Sequence, residues 1–480
     1  MSSKAEAIAR DAPSAHDLLP RIAALIGKRN LLTEAADMAG YLVEPRHLFH
    51  GKALCVARPG STAEVAALVA LCAATGTRIV PQGGNTGLVG GQIPSERGDE
   101  ILLSLSRMNR LREIDPSSNT LIVEAGMTLA QAQAEADRAE RYFPLSLAAE
   151  GSCTIGGNLA TNAGGTAVLA YGNARDLTMG LEVVLADGRI LSDLSKLRKD
   201  NTGYDLKNLF IGSEGTLGII TAAVLKLYPK PRAIETAFIG LRDPHQAVRL
   251  LDLTHAMTGG EVKTFELIPR IGLDFVLAHG DNMRDPLPTT HAHYVLLELA
   301  SQSDGLAQRL IALLERAMQN GIIEDAALAA SLEQRRAFWR LRESLPDAQG
   351  REGGSIKHDV SVPISDVPAF LEEVEAAVTR RLPGARLVAF GHLGDGNIHC
   401  NVSQPIGADK AAFLALWDEV NALVHAIVAA HHGSISAEHG IGQLKRKLLA
   451  QVKDPVALDL MRTVKAALDP QGIFNPGKLL

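Results

Sequence analysis

Cysteine is scarce in this sequence. Cys55, Cys72, Cys153 and Cys400 are the only four in 480 residues, and no two form a CxxC pair. That spacing argues against a disulfide framework and a cysteine-based zinc site, and it fits a reducing compartment. Long apolar runs are missing as well. No stretch approaches the roughly 18–20 residues that a membrane-spanning helix needs. The stretch from Met1 to Pro20 mixes Lys4, Glu6, Arg10, Asp11 and Asp17. It therefore lacks the apolar core of a secretory signal, and its acids argue against a transit peptide. Positive charge is not in excess either. Lys+Arg number 48 against 54 Asp+Glu, a formal net charge of -6, which gives no support for a nucleic-acid or anionic-membrane surface. The expectation is a soluble, cytoplasmic protein with no transmembrane segment and no nucleic-acid partner.

What is present is apolar content for a large core: 46% hydrophobic residues against 21% charged. A chain of this length divides into two or three domains. Residues 63–75 read as an amphipathic helix preceded by a capping hydroxyl in Ser61-Thr62. Arg78-Ile79-Val80, residues 101–104 and residues 121–124 read as strands, and residues 128–138 as a helix. Residues 181–185 and 189–191 flank Asp187-Gly188, a hairpin signal, and residues 219–228 form a further strand. Pro229-Lys230-Pro231 then breaks the pattern. Beyond it, residues 293–299 read as a strand, and 306–320 and 326–342 as helices. Residues 387–390 and 399–402 read as strands, 411–430 as one long helix, and the chain from about Leu444 as helical. The fold class is α+β. The expected organisation is an N-terminal helical segment (1–48), a ligand-binding domain (49–230), a second α+β domain (231–443) and a C-terminal helical segment (444–480).

Glycine concentrates in three places: Gly83 to Gly91, Gly151 to Gly165, and Gly212 to Gly218. Glycine lets backbone approach a ligand closely, and successive N–H groups in such turns make an anion nest. A pyrophosphate is the natural guest. None of the three is a GxGxxG opening a helix or a phosphate loop ending in Gly-Lys-Ser/Thr, so Rossmann and triphosphatase readings are disfavoured.

The second chemical stretch is Gly391-His392-Leu393-Gly394-Asp395-Gly396-Asn397-Ile398-His399. Its glycines argue against a helix. On one straight strand the two histidines would face opposite ways, but the Gly-Asp-Gly turn can fold one back toward the other. Asn401 shares a strand face with His399. Farther on, Glu438-His439-Gly440 adds a carboxylate and a third imidazole. Two histidines and a carboxylate with an open position suit zinc or another first-row divalent ion such as manganese or iron. His425, His431 and His432 read as structural or exposed, and Cys400 points away from His399.

The runs PQGGNTGLVGG (81–91), GSCTIGGNLATNAGG (151–165), YGNARDLTMGLEVVLADGRI (171–190) and NTGYDLKNLFIGSEGTLGIIT (201–221) closely resemble the FAD-linked oxidase family, whose fold is that of vanillyl-alcohol oxidase. The resemblance covers nearly the whole chain, including the ending Asp469-Pro470 and Phe474-Asn475-Pro476-Gly477-Lys478. It implies an FAD-binding domain of two α+β subdomains, a substrate domain and a C-terminal return to the flavin. Carried onto matching positions, it places FAD against Pro81, Gly83, Gly84, Asn85, Thr86 and Gly87 in the first loop. It adds Glu150, Gly151, Thr154, Gly157, Asn158, Asn162 and Gly164 in the second, then Gly218 and Ile220, and finally Asn475. Some relatives tether the flavin through histidine. No histidine lies within residues 77–100, which points to noncovalent FAD.

Within the family, the GHLGDGNIH and EHG motifs resemble those of the metal-dependent D-2-hydroxyacid dehydrogenases. This implies that His392, His399 and Glu438 bind the metal, that Asn401 and His439 contact substrate with His439 as general base, and that Arg342 and Lys357 hold substrate carboxylate. Arginine suits bidentate carboxylate recognition and lysine acts as a point charge. The implied reaction is oxidation of a D-2-hydroxy acid, D-2-hydroxyglutarate or D-malate, to the 2-oxo acid. Electrons would leave to an electron-transfer flavoprotein or a quinone-linked carrier, and a homodimer is compatible with all of this. The hydroxyglutarate-oxidising members carry a threonine one turn after the arginine. Here that position is Pro346, a departure that bears on substrate choice. Alternatives are a D-lactate dehydrogenase of the same fold, a noncatalytic FAD-binding subunit of an oxidase complex, and a metal-only hydrolase.

Overall fold

The computed structural model describes residues 18–480. Residues 1–17, the first part of the expected N-terminal helical segment (1–48) with its charged stretch, lie outside the described residues. The chain forms two compact units. One holds the described residues up to Ala163 together with Asn173–Pro229 and His439–Leu480, and the other holds Gly164–Gly172 and Lys230–Glu438.

The first unit is built on a four-stranded and a five-stranded sheet, with a two-stranded pair, Arg141–Tyr142 and Tyr228–Pro229, besides. Ser61 starts the helix Thr62–Thr75 by accepting a hydrogen bond from the Glu64 N–H, and Gly76 ends it in the left-handed conformation. The Glu64 carboxylate reaches back to the Gly60 N–H at 2.7 Å, which ties the residue before the cap to the first turn while Ser61 satisfies one orphan donor of the helix. That helix leads into the strand Arg78–Gln82. It runs parallel to Glu100–Ser104, which runs parallel to Cys55–Ala57. The first glycine loop therefore leaves the carboxyl end of a parallel strand, the end where open α/β sheets take ligands. The second sheet has five antiparallel strands in the order Leu111–Asp115, Thr120–Glu124, Ile219–Lys226, Thr178–Val184, Ile190–Asp193. Its hairpin of Thr178–Val184 and Ile190–Asp193 turns at Asp187-Gly188, where Gly188 has φ +83°. The C-terminal stretch returns beside the first sheet: the Ile79 N–H donates to the Ile473 carbonyl at 2.7 Å and the Asn475 N–H to the Ile79 carbonyl at 2.8 Å.

The second unit is an eight-stranded antiparallel sheet covered on both faces. Its order is Asp325–Leu328, Ala233–Leu241, His293–Ser301, Val262–Pro269, Arg386–His392, Asn397–Ser403, Ser355–Ile356, with Asp359–Ser361 also paired to Asn397–Ser403. Strand residues alternate between faces. Ile398, Cys400 and Val402 pack into one apolar cluster with helices Pro244–Thr258, Leu306–Gln319, Val367–Arg381 and Trp417–Ala430. Val388, Phe390 and Ile268 belong to the cluster on the other face, with Phe338, Leu341 and Leu345.

Three sequence expectations are corrected here. Residues 326–342 are not one helix. Asp325–Leu328 is an edge strand paired with Ala233–Leu241, and Ser331 caps a separate helix, Leu332–Glu343. Strand pairing overrides the helix propensity of the alanines. The expected helix 411–430 is two, Lys410–Leu414 and Trp417–Ala430. The C-terminal helical stretch is divided into Arg446–Val452 and Pro455–Leu468, because Asp454 and Pro455 start a new helix.

Candidate active site

In the first unit the glycine segments line one open cleft. Pro81, Gly83, Gly84, Asn85, Thr86 and Gly87 contribute from the first loop, and Thr154, Gly157 and Asn158 from the second. Gly218 and Ile220 follow from the third, and then Asn475. Glu150, Gly151 and Asn162 are not among the lining residues. Glu150 accepts from Ser146 and the Leu147 N–H, and Asn162 from the Arg175 N–H. Gly164 falls in the second unit. The cleft fits a large dinucleotide on two observations. A Cβ on Gly83 would lie 2.3 Å from Thr154 Oγ1, and one on Gly84 would lie 1.8 Å from the Ser152 carbonyl oxygen, so only glycine permits this approach. Thr154 Oγ1, Asn158 Nδ2 and Asn475 Oδ1 are buried there without a hydrogen-bond partner among the described residues, and buried polar atoms want one.

Sequence reasoning did not single out Glu214 from the third glycine run. Its buried carboxylate lines the same cleft and accepts from the N–H groups of Ile441 and Gly442, both at 2.7 Å. Burial pushes its pKa up, partly offset by these two donors. It thereby fixes the loop that carries His439, which also lines the cleft.

In the second unit the hairpin Arg386–His392/Asn397–Ser403 turns through Leu393–Asp395 and Gly396. Gly396 has φ +80°, and a Cβ there would lie 2.2 Å from the Val362 carbonyl oxygen. The register pairs His392 with Asn397 and Phe390 with His399. Pairing therefore puts His392, His399 and Asn401 on one face, with the two imidazole centroids 5.7 Å apart and nearly perpendicular. Cys400 faces the opposite core.

Asp359, on the neighbouring strand, pairs directly with His399. The donor atoms of Asp359, His399 and Glu438 lie within 4.8 Å of one another, an oxygen- and nitrogen-rich set that fits a divalent cation. Asp359 accepts from Asn397 Nδ2 at 3.0 Å and from the Glu438 N–H at 3.1 Å, and Glu438 accepts from the Gly165 N–H at 3.1 Å. Asp359 was missed from sequence, although it stands two residues after Lys357.

His392 is held differently. Its Nδ1 lies 2.5 Å from Glu266 Oε1, and Glu266 Oε2 accepts from Arg342 Nε at 2.6 Å. Burial pushes the Glu266 carboxyl up, but the charges of His392 and Arg342 outweigh it and hold it at about 2. The Arg342 guanidinium lies over the Phe390 ring, 4.8 Å from its centroid. Of the four arginines on helix Leu332–Glu343, Arg342 alone is buried, Arg335 is engaged by Glu298, and Arg336 and Arg340 are exposed. Asn401 donates to Gln349 at 2.9 Å and accepts from the His358 N–H at 3.2 Å. Lys357 Nζ is 3.5 Å from the Pro346 carbonyl.

A family model described as "FAD binding domain" matches residues 53–193, and one described as "FAD linked oxidases, C-terminal domain" matches residues 230–479. This chain belongs to the FAD-linked oxidase family. It is 39% identical to the mitochondrial D-2-hydroxyglutarate dehydrogenase of Bos taurus, over 94% of this chain and 81% of that protein. It is 38% identical to D-2-hydroxyglutarate dehydrogenase of Xanthomonas citri, over 96% of this chain and 97% of that one. Among solved structures, p-cresol methylhydroxylase superposes with a TM-score of 0.74 at 17% identity, covering 97% of this chain and 96% of that one. The 4-ethylphenol oxidase of Gulosibacter chungangensis does so with 0.74 at 18%, covering 98% of each. The fold of this FAD-linked oxidase is thus the vanillyl-alcohol-oxidase type. Like its family, it is an FAD-dependent oxidoreductase. Among the described residues no helix is long and apolar enough to cross a membrane.

Proposed function

We propose that this flavoenzyme oxidises a D-2-hydroxy acid to the 2-oxo acid with noncovalent FAD and one divalent metal ion, and that D-2-hydroxyglutarate is its substrate, with D-malate a shorter alternative. The observation that carries the reading is the array of imidazole, carboxylate and guanidinium groups on one face of the His392/His399 hairpin. His392 through Nε2, His399 and Glu438 would hold the ion, with Asp359 as a further oxygen donor. Zinc suits this set, and manganese or iron would also be accepted. When bound, FAD supplies a hydride acceptor and the ion supplies Lewis-acid polarisation of the substrate hydroxyl.

The chain's own residues do the rest. Arg342, oriented by Glu266 and Phe390, grips a substrate carboxylate, and Lys357 adds a second positive charge. Asn401, fixed by Gln349, offers its remaining amide hydrogen to the substrate. A ring nitrogen of His439 accepts the hydroxyl proton as general base. Electrons then pass to an electron-transfer flavoprotein or a quinone-linked carrier. A reducing cytoplasmic setting goes with the four buried free thiols.

A second reading has one observation in its favour. Pro346 offers no side-chain donor where the hydroxyglutarate enzymes carry threonine, which favours a monocarboxylic acid such as D-lactate. Dye-coupled turnover of purified, flavin- and metal-loaded protein separates the two. D-2-hydroxyglutarate should exceed D-lactate in kcat/KM by at least about tenfold, as about 1.4 kcal/mol from one well-placed carboxylate contact would give. The reverse order overturns the substrate, and no turnover of any 2-hydroxy acid overturns the reaction.

A further inference from the structure

Glu266 stands directly opposite His392 in the pairing of Val262–Pro269 with Arg386–His392. It is completely buried, and its two oxygens face two different functional groups. Oε2 receives Arg342 Nε, and Oε1 lies against His392 Nδ1. We infer that Glu266 is a positioning residue that fixes the proton of His392 on Nδ1 and the orientation of Arg342 with one carboxylate. The inference rests on the metal reading above and deepens it.

A guanidinium has donors only, so whatever faces Arg342 Nε must accept. A carboxylate also presents only an acceptor at its second oxygen, so Nδ1 of His392 donates. Nε2 then keeps its lone pair and is the ring nitrogen able to enter a metal's coordination sphere, the carboxylate–histidine pattern that tunes ligands. Glutamine at position 266 has the same shape but one oxygen and one NH₂. Arg342 cannot change its role, so it claims the oxygen. The NH₂ then faces His392 Nδ1, which must accept, and the ring proton moves to Nε2. The opposite amide rotamer would set NH₂ against the arginine N–H.

Glu266→Gln is therefore expected to bind Zn²⁺ or Mn²⁺ about 10–100-fold more weakly than wild type in chelator competition, with flavin content unchanged. In Glu266→Gln/Arg342→Met nothing claims the amide oxygen, so it can turn to His392 Nδ1–H. Metal affinity should recover at least about half of the lost factor on a logarithmic scale, while KM for the hydroxy acid stays high. A Glu266→Gln protein with wild-type metal affinity overturns the inference, and so does a double variant that does not recover. Wild-type protein that takes up no metal overturns the reading beneath it instead. If Glu266→Gln does not fold, ¹¹³Cd-loaded, ¹⁵N-histidine-labelled wild type decides. Cadmium coupling to Nε2 with the proton on Nδ1 supports the inference, and coupling to Nδ1 overturns it.

Discussion

A Cβ placed on Gly83 would sit 2.3 Å from Oγ1 of Thr154. Two loops from distant parts of the FAD unit thus meet at a distance that no side chain can occupy. Gly83→Ala must push Thr154 out of the cleft or move the loop. Overpacking of this kind costs about 1–3 kcal/mol, so flavin affinity should fall about 5–150-fold. Flavin absorbance per protein after dialysis measures it, and unchanged occupancy would mean that the cradle is elsewhere.

His399→Ala removes the imidazole at the centre of the Asp359, His399 and Glu438 group while leaving the FAD unit untouched. Bound metal should be lost on dialysis. Turnover should drop by at least about 100-fold, because Lewis-acid stabilisation is worth several kcal/mol. Flavin content should stay at the wild-type level. Retained metal, read by elemental analysis, would reject the ligand assignment.

Lys478 is buried, and burial pulls its ammonium down to about 8 from 10.5, with Glu100 opposing. The folded pKa lies below the unfolded one, so between about pH 8 and 10.5 the unfolded chain binds more protons. This residue's contribution to stability therefore rises with pH across that window and is a constant penalty below it. Lys478→Met should abolish that rise. The difference in Tm between variant and wild type should shrink by a few degrees or less from pH 8 to pH 10, and a constant difference would refute the shift.

Burial pushes Cys55, Cys72 and Cys400 up to about 12 and raises Cys153 as well. Thiolate is the reactive form. An aromatic disulfide reagent at pH 8 should label almost none of the four thiols in native protein and all of them in denaturant. A fast-reacting native thiol would contradict this burial.

Much of the architecture was legible because its signals are local. Ser61 and Thr128 mark helix starts within three residues, and Asp187-Gly188 marks a hairpin by itself. The convergence of His392 and His399 followed from the intervening glycines. Other features depend on pairing between distant segments. Asp325–Leu328 has an alanine-rich sequence that reads as helix, and only its partner Ala233–Leu241 makes it a strand. Glu266 lies 126 residues before His392 in the strand Val262–Pro269, so nothing nearby in sequence announces its role. Asp359 was within reach, since it stands two residues after Lys357 at the start of the strand Asp359–Ser361, but a carboxylate near a lysine reads first as a solvated pair.

The turn through Leu393–Gly396 also sets how the gene can change. Strand faces alternate with every residue, so inserting or deleting one residue in that turn would rotate the whole return strand by half a turn. Ile398, Cys400 and Val402 would then occupy the reactive face, and His399 and Asn401 would be driven into the apolar core. Point substitutions around this hairpin can be graded in effect, but a single-codon insertion or deletion in the turn should abolish both packing and chemistry at once.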